Sequence, residues 1–280
     1  MGLPRVWISA LVERGPLKLL EGKAVVEMRD VRSPCPREVY MEKVREADIV
    51  VVSFHSPPFN EEVAQATQGT LRGFVCRGLG IENVDLALAT LYGVPCTNTP
   101  GVLANATATH VVGLIIAATR RYHQGEQMAH EGRWLEAQAT LLGPPIFGQT
   151  LAIVGLGPTG AQVARIMRRG FNMRVVYWSR NRKMDLEAEL GLEYMSLHEA
   201  LAQADVVSVN CALAPETHHL IGEVELAAMK PTSVFVNVSR GGLVDQPALL
   251  RAVNEGRIFG AALDVTDPEP PTPDDPILNH

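Results

Sequence analysis

Apolar positions along this chain fall into short runs, separated by stretches in which apolar side chains return every third or fourth residue. The short runs, bounded by turn residues, read as buried strands, and the slower recurrence reads as helices packed over them. In the N-terminal third, strands are predicted over 5–9, 24–28, 49–53, 73–77 and 95–98, with helices over 36–47 and 61–67. The turn chemistry of Asn98-Thr-Pro-Gly-Val102 then closes this part, so a domain boundary is expected between residues 98 and 99. A long helix is predicted over 104–130, where Val111, Val112, Leu114, Ile115 and Ala118 supply one apolar face, and it reads as the link between the lobes. A loop containing Trp134 and Gly143-Pro-Pro145 leads into further strands at 151–154, 174–178, 205–210, 233–238 and 258–265. Helices are predicted between them at 160–169, 197–204, 223–229 and 246–255. Strands alternating with helices of this length imply parallel sheets with crossover helices, hence an α/β protein whose second part is doubly wound. No internal repeat or low-complexity segment interrupts the pattern.

Composition narrows the classes of function. With 280 residues and 46% hydrophobic content, the chain is long enough to bury a sizeable core in one large or two medium domains. Its formal charge of -6 arises from 25 basic and 31 acidic residues mixed along the sequence, so neither nucleic acid nor a membrane is expected as a partner. The longest apolar window, 111–118, is far shorter than the roughly 20 residues a membrane span requires. Cys35, Cys76, Cys96 and Cys211 lack the paired short spacings of a zinc site. They read as reduced thiols in a cytoplasmic protein with no metal, and nothing in the N-terminal residues marks the chain for export.

The most informative motif follows the predicted strand 151–154: Gly155-Leu-Gly157-Pro-Thr-Gly160, then the helix pattern Ala161-Gln-Val-Ala-Arg. In a dinucleotide fold the first glycine permits a tight turn, the second admits the pyrophosphate to the backbone, and the third lets helix and strand pack closely. Such a motif alone is weak, but here a strand precedes it, a helix follows it and a second strand lies about 20 residues on. Gly155, Gly157, Pro158, Thr159 and Gly160 are therefore candidate cofactor contacts. Pro158 has no N–H, so one phosphate donor is missing and weakened or rearranged contacts are expected. Where NAD-specific folds place an acidic residue after the second strand, this chain has Ser179, followed by Arg180, Arg182 and Lys183. Cations there suit the 2′-phosphate of NADP, so NADP is expected in preference to NAD.

At Asn237-Val-Ser-Arg240-Gly-Gly-Leu-Val-Asp245 and Ala262-Leu-Asp264-Val-Thr-Asp-Pro-Glu269-Pro270, the sequence resembles the D-isomer-specific 2-hydroxyacid dehydrogenases, in particular glyoxylate/hydroxypyruvate reductases. Further counterparts follow in order: Gly80-Ile-Glu-Asn-Val-Asp85, Asn98-Thr-Pro-Gly101, Gly132-Arg-Trp134, the glycine fingerprint and Leu213-Ala-Pro-Glu-Thr217. The resemblance implies two lobes, a Rossmann cofactor domain over 99–280 and a smaller flavodoxin-like substrate domain over 1–98. The active site is implied in the cleft, and a homodimer is implied through the cofactor domain. It implies hydride transfer between a nicotinamide and a small 2-keto or 2-hydroxy acid.

Residue roles follow from the same resemblance. Arg240 would orient the acid through its carboxylate and carbonyl oxygens and polarise the carbonyl, work suited to a guanidinium at a strand end. Glu269 would raise the pKa of a catalytic histidine. Asp264 would hold the nicotinamide carboxamide, and Thr107 and Thr217 would line the cofactor cleft. Gly78, Leu79 and Gly80 would bind the substrate carboxylate through backbone amides, which glycines leave accessible. The loop 53–56 should border the substrate, with His55 a solvated loop residue. Departures from the family pattern are Ala212 and Ala214 before Thr217, which remove a possible hydroxyl contact, and Glu82 where aspartate is common.

The family's catalytic histidine lies in a Pro-His-Ile-Gly-like motif about ten residues beyond a stretch resembling Asp275-Pro-Ile-Leu-Asn-His280. His280 belongs to that preceding stretch, so it is not given the role. The expectation is a C-terminally shortened reductase, lacking the closing helix of the first lobe and slowed on the order of 10²–10⁴ for want of its acid. The rival expectation is a cofactor-sensing binding protein without turnover, similar to the family's corepressor relatives.

Overall fold

The computed structural model describes residues 2–31, 34–53 and 56–279, with the side chain of Asn279 left out. His55 and His280 lie outside the described residues. The chain divides into two compact units, Met1–Leu103 and Ala104–His280.

In the first unit, strands β1 (Arg5–Ile8), β2 (Val25–Met28), β3 (Ile49–Val52), β4 (Gly73–Cys76) and β5 (Cys96–Thr97) form one parallel sheet. Its order is β2-β1-β3-β4-β5, the flavodoxin-like arrangement. The β-branched run Ile49-Val-Val-Val52 alternates half-buried and buried positions, as a strand must when one face meets the main core. That core gathers Tyr40 and Val44 from the helix Arg37–Glu46 with Trp7, Phe59 and Phe74, and Phe59 meets Phe74 edge-on at 5.4 Å between centroids. The helices Glu61–Ala66 and Leu86–Leu91 start where Asn60 and Asp85 accept the amides of Val63 and Leu88.

The second unit holds β6 (Thr150–Val154), β7 (Arg174–Trp178), β8 (Glu193–Tyr194), β9 (Val206–Val209), β10 (Val234–Asn237) and β11 (Gly260–Leu263). All pairs are parallel and the order is β11-β10-β9-β6-β7-β8, the doubly wound dinucleotide-binding arrangement. Alternation along β6 sorts the layers. Leu151 and Ile153 face the helices Ala104–Thr119 and Pro158–Gly170. Ala152 and Val154 face Leu197–Gln203, Glu223–Ala228 and Gln246–Asn254. Strands covered on both faces are buried along their length, and β6, β9 and β10 are accordingly almost wholly apolar, with Ser208 in β9 buried among valines.

The helix expected over 104–130 is in fact two, Ala104–Thr119 and Tyr122–His130. Between them Arg121 adopts a left-handed backbone at φ 52°. At the same place Gly143 passes so close to the Thr119 carbonyl that a Cβ there would overlap its oxygen. The expected loop around Trp134 contains the helix Trp134–Thr140. The helices Leu86–Leu91 and Met184–Leu190 were not foreseen, each being too short to show a period. Among the described residues, no helix is long and apolar enough to cross a membrane.

Candidate active site

The glycine turn after β6 shows three different physical demands. Gly155 has φ +98°, and a Cβ on it would sit 2.5 Å from the Cys211 amide nitrogen, so both conformation and space require glycine. At Gly160 a Cβ would lie 2.4 Å from the Gly155 carbonyl oxygen and 3.1 Å from Ile153, so the helix rests directly on the strand. A Cβ on Gly157 would meet no protein atom within 4 Å. The turn is thus packed tightly beneath its first and third glycines and open above the second, the shape a pyrophosphate needs. Pro158 opens the helix at its first position, where it costs no helical hydrogen bond, but it presents no N–H to a phosphate. Thr159 follows in the same first turn and is half-buried.

Beyond β7 the candidate ribose contacts are already partly engaged. Ser179 is buried and donates its hydroxyl to the Asn181 carbonyl at 2.6 Å. Arg182 forms a bidentate pair with Glu187 through Nε and Nη2, both at 2.8 Å, and its guanidinium lies 5.7 Å from the centre of the Tyr194 ring. Glu187 also accepts the Tyr177 hydroxyl at 2.7 Å. The Arg182 and Tyr177 hydrogen bonds hold the Glu187 carboxyl down at about 2, while burial pushes Tyr177 up to about 12. Arg180 is exposed at the loop's edge.

Around Arg240 the sequence motif folds into a braced turn. Asn237, almost fully buried at the end of β10, donates Nδ2 to the Arg240 carbonyl at 2.9 Å, and its Oδ1 accepts the Ser239 amide at 3.0 Å. Ser239 donates its hydroxyl to the Val209 carbonyl, tying the ends of β9 and β10 together. Arg240 itself is half-buried and donates Nη1 to the Ser239 carbonyl at 2.7 Å. The next residue, Gly241, touches the segment after β11: a Cβ there would fall 2.0 Å from the Thr266 carbonyl oxygen. Only glycine lets the Arg240 turn and the 266–267 segment meet, and Glu269, which is exposed, follows three residues after Thr266.

Asp264 begins that same segment, its amide donating to the Asn237 carbonyl at 3.0 Å. Its carboxylate pairs with His110 Nε2 at 3.2 Å. His110 escaped the sequence reading, although it stands one helical turn beyond Thr107 and so on the same face. Thr217 uses its hydroxyl locally, accepting the Ala214 amide and donating to the Ala212 carbonyl, both at 2.8 Å. Asn237 and Ser239 were quoted within the motif without roles; their bracing function is visible only once β9 and β10 are seen side by side.

In the first unit Gly78 has φ +136° and donates its amide to Thr99 Oγ1 at 3.0 Å. Asn98 Nδ2 donates to the Leu79 carbonyl at 2.8 Å. Of the three amides in 78–80, those of Leu79 and Gly80 have no protein acceptor among the described residues. Ser9, at the end of β1, forms a hydroxyl cluster with Ser53 and Ser56, the Ser9 and Ser56 Oγ atoms lying 2.6 Å apart. None of the four cysteines is bonded to another, and burial pushes the Cys76 and Cys211 thiols up to about 11, which disfavours their thiolates.

Comparison with known proteins places the chain among relatives of one family. Residues 112–280 match the family model described as "D-isomer specific 2-hydroxyacid dehydrogenase, NAD binding domain". A glyoxylate reductase of Korarchaeum cryptofilum is 40% identical over 98% of this chain and 82% of its own length. A glyoxylate reductase of Aeropyrum pernix is likewise 40% identical over 99% of this chain and 83% of its own. Among solved structures, a glyoxylate reductase from Paecilomyes thermophila superposes with a TM-score of 0.87 at 32% identity, covering 100% of this chain and 86% of its own.

Proposed function

The chain belongs to the D-isomer specific 2-hydroxyacid dehydrogenases, and from that premise we propose that it reduces glyoxylate and hydroxypyruvate to their D-2-hydroxy acids, with NADPH preferred over NADH. The observation that carries the reading is the braced Arg240 turn. Its guanidinium stands at the carboxyl end of β10, where open α/β sheets bind ligands, and Gly241 brings it against the segment that leads to Glu269. A nicotinamide supplies hydride chemistry when bound.

In this reading Arg240 receives the carboxylate and the keto oxygen, so that its charge meets the oxygen on which negative charge develops. Within the first unit, the amides of Leu79 and Gly80 are donors suited to a carboxylate, with Gly78 setting the loop's backbone. The open face above Gly157, with Thr159 beside it, receives the pyrophosphate. Asp264, steadied by His110, takes the carboxamide. Thr107 and Thr217 border the same cleft. Arg180 carries most of the preference for a 2′-phosphate, because Arg182 is committed to Glu187. Glu269 orients the histidine that acts as acid. We also assign a homodimer, supported by the exposed apolar side chains of Trp134, Leu135, Leu142 and Phe147.

The test is a titration of the 280-residue chain with NADPH and NADH, followed by kcat/KM for both keto acids. Tighter NADPH binding and reduction of both glyoxylate and hydroxypyruvate are expected. Tighter NADH binding overturns the cofactor assignment. Cofactor binding with no reduction of any 2-keto acid makes the protein a sensor instead.

A further inference from the structure

Outside the residues assigned so far, two histidines and an aspartate converge on the second unit's surface: His218, His219 and Asp267, with one ligating atom of each within 4.8 Å of the others. We propose that these three side chains bind a divalent transition-metal ion, zinc being the ion that two imidazoles and one carboxylate suit best.

Consecutive residues in an extended segment point to opposite sides, so adjacent histidines do not ordinarily share a ligand. Here the backbone departs from that rule. His218 is extended at φ −62°, ψ 126°, but His219 has φ 50°, a left-handed conformation uncommon outside glycine. The turn swings the second ring back over the first, and the two stack with centroids 4.0 Å apart and planes 25° from parallel. Each ring carries a nitrogen lone pair in its own plane, so the stacked pair takes up one ion after a modest rotation of the two exposed side chains.

The surrounding structure holds this arrangement firmly. Thr217 closes the preceding turn, the His218 amide donates to the Ala214 carbonyl at 3.0 Å, and the His219 amide donates to the Gly242 carbonyl at 2.8 Å. Asp267 arrives over the same glycine pair: its Oδ2 lies 3.4 Å from where a Cβ on Gly242 would stand. Its own amide donates to Oε1 of the buried Gln246 at 3.3 Å. A larger residue at 242 would crowd the carboxylate, so the Gly241-Gly242 turn both anchors one ligand and admits another.

Ligand atoms around a tetrahedral zinc stand about 3.4 Å apart, given bond lengths near 2.0–2.1 Å. Binding therefore requires the three exposed side chains to close from the present spread of up to 4.8 Å. Three protein ligands leave a coordination position open, so the site takes an exchangeable ion from solution. The inference does not depend on the substrate or cofactor assignment.

The experiment is isothermal titration of the chelator-treated 280-residue chain with zinc chloride. One equivalent per chain is expected to bind at micromolar zinc. His219→Gly is the decisive variant, because glycine takes φ 50° without strain and the fold should melt as cooperatively as before. It should weaken zinc binding more than about 100-fold, since loss of even a supporting group costs 10–100-fold. His218→Gln, at an ordinary backbone conformation, should weaken it to a similar degree and Asp267→Asn by at least about tenfold. His198→Ala, on another helix, should change nothing. Absence of stoichiometric zinc binding, or unchanged binding in His219→Gly and His218→Gln, overturns the proposal.

Discussion

The two arginines that follow β7 meet different electrostatic surroundings, and single substitutions should separate them. Arg182 is bound at both ends of its fork by Glu187, whereas Arg180 stands at the exposed edge of the loop. Arg180→Ala is expected to raise the KM for NADPH about tenfold and leave that for NADH nearly unchanged, since a charge-assisted phosphate contact is worth about 1.5–3 kcal/mol. Arg182→Ala should have the smaller effect, and Glu187→Gln, which releases the guanidinium, should lower the KM for NADPH. Steady-state kinetics with both cofactors checks all three. For the reaction itself, Arg240→Ala should reduce kcat/KM for glyoxylate by about 10²–10³, the usual loss of an oxyanion-stabilising donor. Arg240→Lys should recover little of it, because an ammonium cannot reproduce the planar fork.

At the level of elements, the turn from β6 into the helix Pro158–Gly170 separates stability from binding. A Cβ at 160 collides with the Gly155 carbonyl, while a Cβ at 157 meets open space. Gly160→Ala should therefore lower stability by about 1–3 kcal/mol through forced backbone movement. Gly157→Ala should melt like the parent but bind cofactor at least about tenfold more weakly, because the methyl group occupies the phosphate's approach. Thermal melts and fluorescence titration of NADPH distinguish the two. The wider lesson of this segment is that the strand, the glycines and the helix were legible from 151 to 169 because every demand on them is local. The break at Arg121 was not, and there Gly143, remote in sequence, packs against the Thr119 carbonyl.

At the scale of the molecule, surface ion pairs set the response to acid. Glu131, Glu136, Glu187, Glu189, Glu193 and Glu223 are all held below the usual carboxylate range by hydrogen bonds to arginines, and Glu199 by Ser196. A carboxylate whose folded pKa is depressed stabilises the fold above its unfolded value and loses that contribution as pH falls through the folded value. The melting temperature should thus be level near neutrality and decline below about pH 4.5, continuing toward about 2 for Glu187. These side chains are exposed, so each contributes little. A Glu189→Gln/Glu193→Gln/Glu223→Gln variant should show a shallower decline in melts taken from pH 6 to 3. Assembly belongs to this scale too. If Trp134, Leu135, Leu142 and Phe147 are covered by a second copy, light scattering should give the mass of two chains, and Trp134→Ser with Leu135→Ser should shift it to one.

The alternation of strands with helices, the doubly wound class and the position of the dinucleotide turn were determined by the sequence alone. They follow from hydrophobic period and from glycine's backbone freedom, which act over a few residues. The partners of the site's side chains were decided by tertiary structure. His110 meets Asp264 across 154 positions of sequence, Asn237 and Ser239 brace Arg240 against the end of β9, and Arg182 is claimed by Glu187. His218, His219 and Asp267 carry no spacing that marks a metal site, because the left-handed turn at His219 and the glycine pair at 241–242 bring them together only in the fold. Contacts of this kind depend on how strand ends are laid side by side, and the parallel sheet fixes that through hydrogen bonds between segments far apart in the chain.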